Sequence, residues 1–270
     1  MIPKTRDVLD LLEKVAPTRL AESWDNPGLQ VGSYSQEIRK IFLALDPTLS
    51  ALKAASKRNA QALLTHHPLI SKALLHLDVS VYPGDVIIEA LKREISVIAA
   101  HTNLDIAHGG INDILSDLLD LQHVEVLDEL VGVDGVGLGR IGDLPKATKL
   151  YIMAKNIKKI LGAKRLRIVG QGDVLIRRLA VVGGSGGSMV SLAYKKGADL
   201  LLTGDMSHHH ALEARALGIA MIDGGHFHTE KTAFRVFAER LKDMVSDQGW
   251  EVTVEMDEDE IDPMELDWEY

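Results

Sequence analysis

The 270-residue chain contains no cysteine. Disulfides, thiolate nucleophiles, iron–sulfur clusters and Cys-type zinc sites are excluded together, so any metal must be held by nitrogen and oxygen. It also lacks an apolar run approaching the roughly 20 residues of a membrane span, and Met1–Arg6 leads into an amphipathic stretch instead of a signal-peptide core. A cytoplasmic protein with no membrane partner is expected. Positive charge is in deficit: 30 Lys and Arg face 39 Asp and Glu, a net charge of −9. This disfavours nucleic acid as a partner, because general phosphate-backbone binders present a basic face. That reading would return only if Lys158, Lys159, Lys164, Arg165 and Arg167 lined one channel. What the chain does have is 46% hydrophobic and 26% charged residues, the composition of a globular protein able to bury a core.

Strand-like and helix-like segments alternate, which predicts an α/β fold of sheets covered by helices. Helices are expected over 5–15, 49–59, 86–93 and 231–244, with a further one over 157–161 and another around Tyr194. Strands are expected over 40–45, 62–65, 96–100, 149–154, 178–182 and 200–203. The Gly/Val-rich stretch 124–150 reads as a hairpin region or a passage into a second domain. An internal echo supports two related halves: Ser50–His67 and Ser188–Asp205 match at seven of eighteen positions without gaps. The expected division is 1–125 plus 226–270, a first α/β domain with a C-terminal helix, strand and acidic tail, and 126–225, a second α/β domain. The like charges after Glu255 predict a solvated tail, dispensable beyond Met256 unless Trp268 and Tyr270 dock on a neighbouring subunit.

Most of the eleven histidines stand at strand tips. Neutral imidazole and carboxylate are ligands for first-row divalent metals. Three clusters combine them: Thr65-His66-His67-Pro68, His101-Thr102-Asn103-Leu104-Asp105, and His226-Phe227-His228-Thr229-Glu230. A helix starting near His226 puts His226 and Glu230 on one face by i,i+4 spacing. His228 apart, the clusters offer four imidazoles and two carboxylates, more than one tetrahedral ion needs and enough for two. Gly183-Gly184-Ser185-Gly186-Gly187-Ser188 reads as a tight turn or as a phosphate cradle. It lacks the lysine of a P-loop. His76, His108 and His123 receive no role.

The chain resembles the NIF-three-like family, whose bacterial members carry the label GTP cyclohydrolase 1 type 2 homologue. The resemblance rests on Ser23-Trp24-Asp25-Asn26-Pro27-Gly28-Leu29-Gln30-Val31-Gly32, Leu45-Asp46, Leu64-Thr65-His66-His67-Pro68 and Ala100-His101-Thr102-Asn103-Leu104-Asp105. It continues through Leu202-Thr203-Gly204-Asp205-Met206-Ser207-His208-His209 and Gly225-His226 with Thr229-Glu230. The resemblance implies two α/β domains with a dinuclear metal site in the cleft between them, assembled as a homohexameric ring. It implies metal ligation by His66, His67, His101, Asp105, His226 and Glu230, with two divalent ions per chain among zinc, manganese, iron, cobalt and nickel. Such a site fits a metal-dependent hydrolase, cyclohydrolase-like or acting on phosphoesters or amides, with an unknown small-molecule substrate. The echo sets Asp205 and His208 at the same cleft as candidate catalytic residues. The alternative is a non-catalytic metal-binding regulatory or metal-handling protein acting through partner binding, since eukaryotic members are associated with partners and transcription.

Overall fold

The computed structural model describes residues 1–133 and 135–264. In chain order the elements begin with α1 (Thr5–Val15), β1 (Gly28–Val31), β2 (Lys40–Ala44), α2 (Leu49–Lys57), β3 (Ala62–Thr65), α3 (Gly84–Lys92), β4 (Ser96–Ala99) and α4 (Thr102–Ile106). They continue with α5 (Ile111–Leu118), β5 (Gln122–Glu129), β6 (Gly137–Lys149), α6 (Leu150–Leu161), β7 (Arg167–Val169), β8 (Leu175–Ser185), α7 (Val190–Lys195) and β9 (Leu200–Gly204). Last come α8 (His208–Leu217), β10 (Ala220–Asp223), α9 (His226–Asp247) and β11 (Thr253–Met256). The chain forms two compact units, Met1–Leu104 with Phe234–Tyr270, and Asp105–Ala233. The fold is mixed α/β, two sheets covered by helices.

The first unit carries a sheet of order β1-β4-β3-β2-β11. Strands β11, β2, β3 and β4 run parallel, and β1 closes the edge antiparallel to β4. Parallel strands are covered on both faces, which is why Ile41–Ala44 and Ala62–Thr65 read as unbroken buried runs without alternation. Helix α2 starts where Thr48 Oγ1 accepts the Ala51 N–H, and it buries Ala51, Leu52 and Ala55 against this sheet's core. From α9 the same unit takes the buried Phe234, Phe237, Ala238, Leu241 and Val245.

The second unit carries a sheet of order β5-β6-β8-β9-β10-β7. Its strands β8, β9 and β10 are parallel, and β7 lies antiparallel to β10. The sequence echo has a topological meaning. In each unit three parallel strands follow one another in chain order, β2-β3-β4 and β8-β9-β10, with an antiparallel strand beside the last. Crossover helices α2 and α3 in one unit correspond to α7 and α8 in the other. Within the stretch 124–150, β5 and β6 pair antiparallel.

Two expectations need correction. Residues 149–154 are not a strand: α6 begins at Leu150, burying Leu150, Met153, Ala154, Ile157 and Leu161 at helical spacing. The run Leu150–Ala154 is apolar throughout, so its pattern alone fits either period. The start of the acidic tail is not a free solvated segment: Asp257 is buried and its N–H donates to Leu43 O at 2.7 Å, the exposed Glu258 pairs with Arg235 at 2.6 Å, and Glu260 accepts the Leu45 N–H. Trp268 and Tyr270 lie outside the described residues. Of the basic residues in 158–167, Lys158 and Lys159 stand in the last turn of α6, where cations complement the helix dipole, and Arg167 pairs with Asp223. Among the described residues, no helix is long and apolar enough to cross a membrane.

Candidate metal centre

In both units the candidate side chains come from just beyond the carboxyl ends of parallel strands, where open α/β sheets collect their ligands. In the first unit, β3 ends at Thr65 and delivers His66 and His67, β4 delivers His101, and β2 delivers Asp46. The imidazole rings of His66, His67 and His101 form a triangle with centroids 5.2, 5.4 and 5.5 Å apart. One ring nitrogen from each lies within 4.8 Å of the others, close enough for all three to reach one ion.

Each ring is held by an oxygen at Nδ1. His66 Nδ1 lies 2.8 Å from Ala100 O, His67 Nδ1 2.7 Å from Asp46 Oδ1, and His101 Nδ1 2.8 Å from Asp25 Oδ1. A carbonyl or carboxylate oxygen accepts only, so Nδ1 must carry the proton and Nε2 keeps its lone pair. This is how metal-ligating histidines are prepared, the remote nitrogen fixing both tautomer and ring direction.

The second unit repeats the device. His226, the first residue of α9, has Nδ1 2.7 Å from Asp205 Oδ2, and Nε2 3.1 Å from Glu230 Oε2 one helical turn along. Glu230 is buried, as is Asp105 in α4. Asp205 follows β9 with a φ of 55°, a left-handed conformation that a non-glycine residue adopts only when its surroundings hold it. The glycines beside this site are not a phosphate cradle. The N–H of Gly183 goes to Asn112 Oδ1, of Gly184 to Thr229 Oγ1 and of Gly186 to Thr203 Oγ1, at 2.9, 3.1 and 2.8 Å. His208 is exposed at the first position of α8, its ring against His209, while Ser207 and His210 form a capping box.

Sequence reasoning missed the roles of Asp25 and Asp46. Asp25 sits in the Trp24–Gly28 loop, which carries no spacing signal toward His101, and Asp46 is only a polar residue at a strand end. Burial pushes the Asp25 carboxyl up, but hydrogen bonds from His101 and Thr102, the His101 charge and the Asn26 N–H outweigh it and bring its pKa to about 2, from an ordinary 3.8. A folded-state pKa below the unfolded one gives stability that is full above about pH 4 and lost as pH falls toward about 2. For the side chain, which is wholly enclosed, this is worth about 2 kcal/mol. Asp25→Asn in metal-free protein is therefore expected to lower unfolding free energy by about that amount at pH 7, and to flatten its dependence between pH 4 and 2. Urea titrations of both proteins across that range check this; parallel curves would contradict it.

A family model described as Duf34/NIF3 (NGG1p interacting factor 3) matches residues 3–263. A Clostridium perfringens protein named GTP cyclohydrolase 1 type 2 homolog is 35% identical over 240 residues, covering 89% of this chain and 92% of that one. A Methanocaldococcus jannaschii protein of the same name is 35% identical over 241 residues, covering 88% and 94%. Among solved structures, a Bacillus cereus protein related to NIF3 superposes with a TM-score of 0.92 at 26% identity, covering 98% of this chain and all of that one. The matched span takes in all six candidate ligands, and on the family model and these relatives the chain belongs to the DUF34/NIF3 family.

Proposed function

We propose that the chain binds two divalent metal ions in one dinuclear centre and acts as a metal-dependent hydrolase. The ligands in this reading are His66, His67, His101, Asp105, His226 and Glu230. The observation that carries it is the shared setting of four imidazoles, each with Nδ1 engaged by an oxygen; in His66, His67 and His101 this leaves Nε2 as the nitrogen for a metal, while Nε2 of His226 faces the Glu230 carboxylate, which would share an ion with it. Four neutral nitrogens and two buried carboxylates suit zinc, manganese, iron, cobalt or nickel and exceed the needs of one ion. When bound, such a pair supplies Lewis-acid polarisation and activation of water.

The protein's own groups then have distinct tasks. Asp105 and Glu230, with two oxygens each, would hold both ions, and each histidine would hold one. Asp25, Asp46, Asp205 and the Ala100 carbonyl hold the tautomers, and buried Thr229 ties Gly184 beside Glu230. Asp205 thus acts on His226, leaving the exposed His208 imidazole nitrogen as the group that moves a proton to or from substrate. Hydrolytic attack at a ring carbon, as in the reaction named for the relatives, at a phosphoester or at a cyclic amide all use this chemistry. Assembly as a homohexameric ring belongs to the same proposal, supported by the exposed apolar Leu75, Val79, Val81 and Tyr82. Light scattering on the full chain tests it.

Elemental analysis of protein purified without chelator and loaded with metal is expected to give two ions per chain; one or none overturns the dinuclear reading. A screen over nucleotides, phosphoesters and cyclic amides follows. Turnover no higher than that of the free ions would transfer the reading to a metal-binding regulatory or metal-handling protein. Bound metal is also expected to fall as pH drops from about 7 to 5, because protonated imidazole cannot ligate. Equilibrium dialysis at both pH values checks this, and full retention at pH 5 would remove the histidines as principal ligands.

A further inference from the structure

We infer that Glu260, in the acidic C-terminal segment, is a positioning residue for His67, acting through Asp46. The inference rests on the proposed metal centre, which it extends to a part of the chain with no assigned role. It starts from topology. Strand β11 pairs parallel with β2, with Met256 opposite Leu43, so the chain leaves β11 at the same end of the sheet where β2 delivers Asp46. The Asp257 N–H continues the ladder to Leu43 O, and three residues later Glu260 reaches the strand tip.

There its carboxylate takes two consecutive backbone donors, Leu45 N–H to Oε2 at 2.9 Å and Asp46 N–H to Oε1 at 2.8 Å. The same two residues hold His67 from the other side. Leu45 O accepts the His67 N–H at 3.0 Å, and Asp46 Oδ1 accepts from the His67 ring at 2.7 Å. The Leu45–Asp46 peptide is therefore clamped between a tail carboxylate and a candidate ligand. Charge-assisted bonds to both N–H groups fix the backbone from which the Asp46 side chain springs. Without them the Asp46 carboxylate loses its fixed origin, and with it the His67 ring loses the single orientation that presents Nε2. A purely structural role would tie the tail down and nothing more. His101 supplies an internal comparison, because its anchor Asp25 is organised by Thr102 and Asn26 and not by the tail.

The test is Glu260→Ala in the full chain, read by nitrogen-15 NMR of labelled histidines in metal-free protein and by zinc titration. His67 is expected to change from one Nδ1–H tautomer to a mixture while His101 stays as in wild type, and zinc affinity is expected to fall about 10–100-fold. Arg235→Ala, which removes the partner of Glu258 but touches neither Asp46 nor His67, should leave both readouts unchanged. A wild-type His67 spectrum in Glu260→Ala, or the same change in Arg235→Ala, overturns the inference. Should Glu260→Ala fail to fold, Glu260→Gln keeps the size and one acceptor oxygen and is held to the same outcomes. Because the tautomer is read without metal, a protein that binds none would defeat the metal reading and still decide this one.

Discussion

Glu230→Ala and Asp105→Ala are each expected to reduce bound metal from two ions per chain to one or none. The expectation follows from what a carboxylate does that an imidazole cannot. With one presented nitrogen, a histidine ends on one ion, and its loss weakens that ion first. Carboxylates have two oxygens, so one that bridges serves both ions, and its removal also exposes each to the other's charge. Glu230 is 4% exposed and faces His226 Nε2 at 3.1 Å. Asp105, 7% exposed, sits on α4, whose backbone is held from below by Asn112 Nδ2 donating to Asp105 O at 3.0 Å. Changing only an outer partner of a ligand typically costs 10–100-fold in affinity, and deleting the ligand itself should cost more. Equilibrium dialysis with zinc followed by elemental analysis reads the result, with circular dichroism to show that the variants are folded. A folded variant that keeps two ions would remove that carboxylate from the bridging role.

His66, His67 and His101 could be picked out as candidates because each follows a short apolar run, and a polar residue straight after a buried parallel strand is a residue at the open end of a sheet. His66 and His67 after Leu63–Thr65 and His101 after Val97–Ala100 needed no more than that. Their anchors were not legible in the same way. Asp25 and His101 are 76 residues apart, Asp46 and His67 are 21 apart, and Glu260 meets Leu45 across 215. No periodicity links such pairs; they meet because strand order brings their ends together. Charge density also misled at the tail. Asp257, Glu258 and Glu260 look like a solvated run, yet each finds a specific partner because β11 pairs with β2 and carries them to it. The echo between Ser50–His67 and Ser188–Asp205 was informative because a crossover helix and its strand impose the same pattern wherever a βαβαβ unit recurs. It did not reveal the division of labour, in which one copy ends in two histidines and the other in Gly204-Asp205, whose carboxylate holds His226.

Gly184→Ala is expected to damage stability and metal binding together. At φ +60 the residue already occupies the left-handed region, which costs an L side chain about 1 kcal/mol. The larger effect is collision. A Cβ there would overlap the Glu230 carboxyl group and stand 3.2 Å from His226 Nε2. Glu230 cannot retreat freely, since it is buried on the first turns of α9 and the neighbouring Thr229 Oγ1 accepts the Gly184 N–H at 3.1 Å. Either the strand or the carboxylate must move, and both belong to the site. A loss of about 2–4 kcal/mol in unfolding free energy is expected, with zinc affinity reduced at least tenfold. Gly197→Ala is the matched comparison: its φ is +83 and its Cβ would meet nothing within 4 Å, so it carries the backbone cost without the collision. Denaturant unfolding and zinc titration of the two variants separate the effects. If Gly184→Ala lost no more stability than Gly197→Ala and bound zinc as the wild type does, the missing side chain at 184 would be a matter of backbone conformation alone, and Glu230 would not need the space it occupies.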